Sequence, residues 1–406
     1  MTNFRSLCYK LHKVAERRDV MDFGFTEEEK MLQEMAKDFA QKEIAPTVEK
    51  DEKEHLFRKD IVKKMAELGF FGCLAPEKYG GNQMGYLATT IITMEIAKES
   101  PSYGLPFNLQ MNAIQSVLLA FGTEEQRQKW IPPLINADLL GCFALTEPDT
   151  GSDVASMKTT AKEVDDGWVL NGTKMWISGV PVADVGIIFA MTDREKRHRG
   201  MSAFMVDMHS PGIEQRAIEE KLGLYCAPTG EIILEDVKVP KDAIVGKPGD
   251  GFKIAMYMLD RTRLSCAARA AGVAEKCFEL AKQYANERYQ FGVPIIQHQM
   301  IQDQLARMWC EHEAAKLLVL KAAWLMDHLE PGQRPTLAVS TAKYYTAEAA
   351  VFAANEAMKI YASYGFSTEY PIERYYRDAK SYQSVEGTSN IQKVIIARHF
   401  IEKKQQ

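Results

Sequence analysis

The apolar residues of this 406-residue chain change their spacing twice, and that double switch restricts the fold more than any single motif does. From Thr26 to about Asp138 the spacing is helical. Thr26 and Glu29 form a predicted capping box, and Leu32, Met35, Ala36, Phe39 and Ala40 then recur on one face. Ile61, Met65 and Leu68 lead to Gly69, a natural helix stop, and a further helix carrying Ile91, Ile92, Met94 and Ile96 ends before Pro101. Between Gly141 and Pro240 the pattern becomes that of short strands: W-V-L-N-G-T-K-M-W-I-S, V-G-I-I-F-A-M, M-S-A-F-M-V-D-M and E-I-I-L-E-D-V-K-V-P. Asn171-Gly172 reads there as a two-residue hairpin turn. Past Gly251 long helical patterns return over 264–284, 297–328 and 336–364, and again from Ile391, whose stripe of Ile391, Val394 and Ile395 is expected to be buried.

The chain is therefore expected to be an α+β multi-domain protein. An N-terminal helical domain spans 21–138, a central β-barrel-like or β-sandwich domain 139–246, and a C-terminal four-helix-bundle domain 247–406. Residues 1–20 are basic and transit-peptide-like, but Glu16 and Asp19 spoil that pattern, and Met21 reads equally well as a start; the segment is taken as a loose extension or an upstream start.

A net charge of −5 argues against a nucleic-acid surface, so any phosphate must be met by local sites. The seven cysteines are scattered without a C-x-x-C, which suggests neither a disulfide framework nor zinc and fits a reducing compartment, a bacterial cytoplasm before a mitochondrial matrix. The longest apolar runs are broken by Asp184 or Lys321, so no membrane insertion is expected. No G-x-G-x-x-G follows a strand, H-E-x-x-H is absent, and no metal site is expected.

Two segments carry candidate chemistry. Near the C-terminus, S-V-E-G-T-S-N-I-Q places Glu386 without a cationic neighbour in sequence, just before a helix that Thr388 or Ser389 can cap. Held away from water, such a carboxylate is a base; left in water, it is an ordinary dipole-favouring Glu. Further upstream, F-A-L-T-E-P-D-T-G-S-D-V-A-S offers Thr146, Ser152 and Ser156 around flexible Gly151, which reads as an uncharged phosphate cradle or as a polar surface loop.

Read together with R-Y-Q-F-G-V-P-I-I-Q-H-Q at 288–299 and G-F-S-T-E-Y-P-I-E-R-Y-Y-R-D-A-K-S-Y-Q-S-V-E-G-T at 365–388, these segments resemble the FAD-dependent acyl-CoA dehydrogenase family over about Met21 to Lys403. The resemblance implies α,β-dehydrogenation of an acyl-CoA thioester. Glu386 is then the α-proton base, a hydride passes to N5 of FAD, and the backbone N–H of Glu386 helps to polarise the thioester carbonyl together with a ribityl hydroxyl. It places Phe143, Leu145, Thr146, Gly151 and Ser152 along the flavin and pyrophosphate, and Trp176, Ile177 and Ser178 beside the isoalloxazine ring. Read alone, Trp176 would be ordinary core packing. Arg288, Gln290, Phe291 and Gln299 match residues that a neighbouring subunit sends to the adenylate half, with Thr388 and Asn390 as further cofactor contacts. A homodimer or homotetramer follows.

Lys359, Ala362 and Ser363 stand where the family often has glutamine and paired glycines, so Lys359 and Ser363 are candidates for a remade cofactor contact, and Thr150 replaces a smaller residue. For CoA, the resemblance points to Asp260, Thr262 and Arg263 in L-D-R-T-R, with Ser152 and Gly387 near the pantetheine or thioester; Arg263 alone would read as a helix-surface cation.

The acyl chain is expected to face Ser100 to Gln110, including Gly104 and Asn108. Glutaryl-CoA dehydrogenases, which the chain otherwise resembles, carry an arginine where Gly104 stands. Gly104, Leu105, Pro106 and Phe107 therefore suggest an apolar pocket for a short, branched or alicyclic acyl group such as cyclohexanecarboxyl, with a dicarboxylyl group disfavoured. Electron-transferring flavoprotein is the implied acceptor. An acyl-CoA oxidase, a glutaryl-CoA dehydrogenase and, remotely, a non-catalytic nucleic-acid-binding relative are the alternatives.

Overall fold

The computed structural model describes residues 24–330 and 332–401; the reading of 1–20 lies outside them. The N-terminal helices are α1 (Glu27–Phe39), α2 (Val48–Lys53), α3 (Lys59–Glu67), α4 (Gly85–Glu99), α5 (Ser116–Phe121) and α6 (Glu124–Ile135). The Thr26 capping box forms: Glu29 N–H donates to Thr26 Oγ1 at 3.2 Å, and Thr26 N–H donates to Glu29 Oε2 at 2.7 Å. Gly69 stops α3 with a left-handed φ of 76°. Between α4 and α5 the chain enters a wide π-helical stretch, Phe107–Gln115, every residue of which is buried. No spacing signal announces such a stretch, and π-turns gather at functional sites.

The middle domain is one eight-stranded sheet: β1 (Gly141–Ala144), β2 (Thr160–Val164), β3 (Gly167–Ser178), β4 (Val185–Met191), β5 (Met201–Asp207), β6 (Ile213–Ala217), β7 (Thr229–Pro240) and β8 (Ile244–Val245). Its order is β6-β7-β3-β2-β4-β5-β8, with β1 parallel to β4. All of β4 is buried because its alternate residues serve different cores. Val185, Ile187, Phe189 and Met191 pack on the helices, whereas Ile188 and Ala190 join Trp168, Leu170 and Phe204 on the opposite side of the sheet.

Asn171-Gly172 is not a hairpin turn. β3 runs straight through it, and the two-residue turn from β2 is Asp165-Asp166. The pair forms a register shift against β7 instead, with Gly172 at φ 147° and the Asn171 carboxamide exchanging hydrogen bonds with Asp236.

The C-terminal domain holds α7 (Gly251–Glu287), α8 (Gln299–Asp327), α9 (Thr336–Tyr361), α10 (Ile372–Ser381) and α11 (Ser389–Arg398), with a small hairpin of β9 (Tyr289–Gln290) and β10 (Val293–Pro294) between the first two. Helix α7 begins well before the expected Leu264, because no breaker follows Gly251 and its middle is buried all round. L-D-R-T-R is thus helix interior. The expected stripe on α11 is not buried within this chain: Val394 is 44 % exposed, and the buried residues of the helix are Ser389 and Gln392. That helix packs on α9 through its polar start, so its apolar side is left to another surface.

Candidate active site

The turn before α11 is held in an unusual backbone state. Glu386 has φ 56° and Gly387 φ 85°, and left-handed geometry at a non-glycine residue persists only where its surroundings hold it. Those surroundings are polar and buried. Arg263 Nε donates to the Glu386 carbonyl at 3.2 Å, Lys343 Nζ donates to the Gly387 carbonyl at 2.6 Å, and Gln392 Nε2 donates to both, at 3.1 and 3.0 Å. Thr388 is the N-cap, accepting from Ile391 N–H at 3.2 Å. A side chain at Gly387 would put its Cβ 2.9 Å from Gln392 Nε2, so glycine is required there on two counts.

This turn presents the half-buried Glu386 carboxylate to two donors: Asn108 Nδ2 at 2.8 Å from the π-helical stretch, and Thr262 Oγ1 at 2.6 Å from α7. Both cations behind it touch backbone rather than carboxylate. Burial pushes the Arg263 guanidinium and the Lys343 ammonium below their ordinary values, while Asp260, which is 3.6 Å from Arg263 and accepts from Thr336, is pushed up by burial. Arg263 is therefore no helix-surface cation, and of the residues expected to meet CoA only Thr262 contacts the Glu386 side chain. Among the described residues nothing accepts a hydrogen bond from the Glu386 N–H, which leaves this donor beside the carboxylate.

A second cluster lies along β1, β3 and the loop after β1. Leu145 is buried, Phe143 packs against Leu105, Leu109 and Ala227, and the Thr146 carbonyl accepts from Met175 N–H at 3.0 Å. The loop is pinned by a buried ion pair: Lys174 Nζ meets Glu147 Oε1 at 2.9 Å and the Leu145 carbonyl at 3.3 Å. Burial pushes Lys174 down to about 8; it pushes Glu147 up, but Lys174 and the Thr159 and Lys158 N–H groups outweigh it and hold Glu147 below the usual carboxylate range. Gly151 and Ser152 are exposed, with nothing within 4 Å of a Cβ built on Gly151.

β3 is irregular between Lys174 and Ile177, where Trp176 has φ 61°. Lys174 and Ile177 both point inward, so the inward residues are three apart instead of two, and Trp176 is turned out with 59 % of its surface exposed. Core packing is thus ruled out for this indole. Ser178, partly exposed, ends the strand opposite Thr229.

Other candidates stand apart from Glu386 within one chain. Arg288, Gln290 and Phe291 form the exposed β9–β10 hairpin and Gln299 starts α8; Phe291, at φ 53°, is 93 % exposed. Arg288 lies over the Tyr364 ring at 5.4 Å. Lys359 is committed to buried Glu356 at 2.6 Å rather than free for a phosphate, while Ser363 and Asn390 are exposed and among the described residues carry no hydrogen bond from their side chains. The expectation of an uncharged wall at Gly104 also changes: a Cβ there would lie 2.7 Å from Cγ of Arg269, a buried cation.

Sequence reading missed Lys343, Gln392, Arg269 and the Glu147–Lys174 pair. The available signal was a charged or amide side chain at a position where the helical period calls for an apolar one, as with Lys343 between Val339 and Ala347.

A helical–sheet–helical chain that holds one carboxylate among polar donors and turns an aromatic outward on its sheet fits the class of flavin-dependent oxidoreductases. Family models match all three parts: acyl-CoA dehydrogenase, N-terminal domain over 26–138, middle domain over 142–237, and C-terminal domain over 249–401. The chain is 46 % identical to glutaryl-CoA dehydrogenase of Desulfococcus multivorans, over 93 % of this chain and 97 % of that protein. It is 41 % identical to the mitochondrial short-chain specific acyl-CoA dehydrogenase of Rattus norvegicus, over 92 % of this chain and 90 % of that one. A solved glutaryl-coenzyme A dehydrogenase in complex with glutaryl-CoA superimposes with a TM-score of 0.90 at 45 % identity, covering 93 % and 96 % of the two chains. The chain belongs to the acyl-CoA dehydrogenase family, whose members are FAD-dependent oxidoreductases acting on acyl-CoA CH–CH groups. The outward indole of Trp176 and the open loop at Gly151 fit a flat, phosphate-bearing cofactor of this kind.

Proposed function

We propose that this enzyme dehydrogenates a short acyl-CoA thioester between its α and β carbons, with Glu386 as the base. The carrying observation is the carboxylate itself: two neutral donors, Asn108 and Thr262, fix its orientation, and the nearby cations are spent on backbone carbonyls, so among the described residues no ion pair quenches it. FAD, when bound, supplies the acceptor for the hydride that leaves the β carbon. Glu386 takes the α proton onto its carboxylate, and its free N–H is placed to donate to the thioester oxygen, which makes that proton more acidic.

Trp176 and Ser178, with Phe143, Leu145, Thr146, Gly151 and Ser152, form the flavin side in this reading, and Thr388 and Asn390, which follow the base in the chain, are further cofactor contacts. The exposed hairpin with Arg288 and Phe291, together with the uncovered stripe of α11, supports assembly as a dimer or a pair of dimers in which the hairpin reaches a partner's cofactor. Electron-transferring flavoprotein as the acceptor and a cytoplasmic location belong to the same proposal. Among the described residues no helix is long and apolar enough to cross a membrane.

Anaerobic addition of acyl-CoA thioesters to the yellow protein should bleach its flavin band. Glu386→Gln should keep FAD and bind the thioester without bleaching; reduction at the wild-type rate in that variant would refute the assignment. Oxygen uptake matching turnover would instead identify an oxidase.

A further inference from the structure

Arg269 is a buried cation without an anion. It is 2 % exposed, its Nε is sealed from solvent with no acceptor, and among the described residues no hydrogen bond or ion pair engages its guanidinium. Its guanidinium carbon lies 5.7 Å from the centroid of the Tyr382 ring. The other buried arginines of this helix are engaged: Arg263 with Asp260 at 3.6 Å, and Arg261 with the Tyr86 hydroxyl and the Tyr257 carbonyl. An unpaired buried guanidinium is costly, so a position that keeps one has a use for it. Tyr382, fully buried beside it, also has a hydroxyl that finds no partner among the described residues.

The placement is directional. Thr262 and Arg269 are seven residues apart on α7, which puts them on one face and about 10 Å apart along the axis. On the facing segment, Asn108 and Gly104 form a second pair. Asn108 and Thr262 meet at the Glu386 carboxylate, while at the other end Gly104 packs on the Arg269 stem, 2.7 and 2.8 Å from Cγ and Cδ for a Cβ built there. Glu386 thus marks one end of a strip between the two segments and Arg269 marks the other. The missing side chain at Gly104 makes the room that the Arg269 stem fills.

Resting on the dehydrogenase reading above, we propose that Arg269, assisted by the Tyr382 hydroxyl, receives a carboxylate at the distal end of the acyl group. The substrate class is then the monothioester of a short dicarboxylic acid, recognised by an arginine that enters from α7 instead of from position 104. This replaces the uncharged pocket expected from the sequence. Arg269 acts in specificity and binding and takes no part in the proton transfer.

The test compares glutaryl-CoA with pentanoyl-CoA, a thioester of equal carbon number without the carboxylate, binding to the purified holoenzyme under anaerobic calorimetry. Glutaryl-CoA should bind at least ~10-fold tighter in the wild type, and Arg269→Gln should weaken glutaryl-CoA by about 10²-fold more than pentanoyl-CoA. Tyr382→Phe should narrow the same ratio by up to ~10-fold, and Arg269→Lys should restore part of it. Should Arg269→Gln fail to fold, Gly104→Ala, which displaces the arginine stem, reads the same ratio. Equal binding of the two thioesters by the wild type, or a ratio that survives these substitutions, overturns the inference while leaving the dehydrogenase reading intact. Failure of every thioester to bind or bleach the flavin removes both.

Discussion

Replacing Glu147 by glutamine isolates what the buried ion pair contributes to the loop that the flavin side depends on. Lys174 is 0 % exposed and Glu147 3 %, and without the carboxylate charge Lys174 keeps only neutral acceptors, the glutamine oxygen, the Leu145 carbonyl at 3.3 Å and the Met157 sulfur at 3.9 Å. Breaking such a pair costs about 3–5 kcal/mol. An independent ceiling comes from protonation. Lys174 already lies at about 8 beside its partner, so without it the side chain escapes by losing its proton. Deprotonating a lysine that titrates at about 8 costs about 1.4 kcal/mol at pH 7 and essentially nothing at pH 9. The sign follows from proton counts: a lysine depressed in the folded state binds fewer protons there than when unfolded, so stability rises with pH up to the unfolded value of 10.5. The variant should therefore lose about 1–2 kcal/mol at pH 7, less than the general figure because Lys174 escapes by deprotonation, and lose little by pH 9. Adding Lys174→Met should recover it at both pH values. Urea denaturation of the holoenzyme at the two pH values, with flavin fluorescence reporting FAD release, measures this. No measurable loss at pH 7, a loss above ~3 kcal/mol there, or one unchanged at pH 9, would refute the reasoning.

Thr262→Val removes a 2.6 Å donor from the Glu386 carboxylate, and Asn108→Leu removes the 2.8 Å one. Each should slow flavin reduction by about 10- to 100-fold in stopped-flow experiments, as expected for a hydrogen bond to a charged group worth about 1.5–3 kcal/mol. Because both donors orient one carboxylate, the double variant should lose less than the product of the two effects. Gly172→Ala places a Cβ 2.6 Å from Thr159 Oγ1 and 2.7 Å from its Cα at a φ of 147°, so its denaturation midpoint should fall by the equivalent of ~1–3 kcal/mol.

The features that read correctly from sequence depend on neighbours in the chain. The Thr26 box, the Gly69 stop and the strands of the middle domain are set by residues within a few positions of one another. Asn171-Gly172 misled because the same dipeptide suits a turn or a bulge, and what decided it was Asp236, which is distant in sequence. The position of Glu386 before a cap was legible; its hold was not, since Asn108, Thr262, Arg263 and Lys343 come from three other segments. Arg269 was hidden for the same reason. The glycine that matters to it lies on another element, and an apolar reading of 104–107 has no access to what packs against them.

The ion pair and the outward tryptophan are two ends of one device. In a regular strand Lys174 and Trp176 would share a face, and a buried lysine would bring a buried indole with it. The irregularity between Lys174 and Ile177 breaks that alternation at the price of a left-handed φ at Trp176. Such a conformation costs on the order of 1–3 kcal/mol and needs fixed points on both sides. Lys174, locked to Glu147, supplies one, and buried Ile177 supplies the other. Loosening the pair should therefore let β3 relax toward regular alternation and withdraw the indole, so that Glu147→Gln releases FAD at a lower urea concentration than the one that unfolds the helical domains. Coincident release and unfolding would show that the pair stabilises the whole fold and does not set the pose of Trp176.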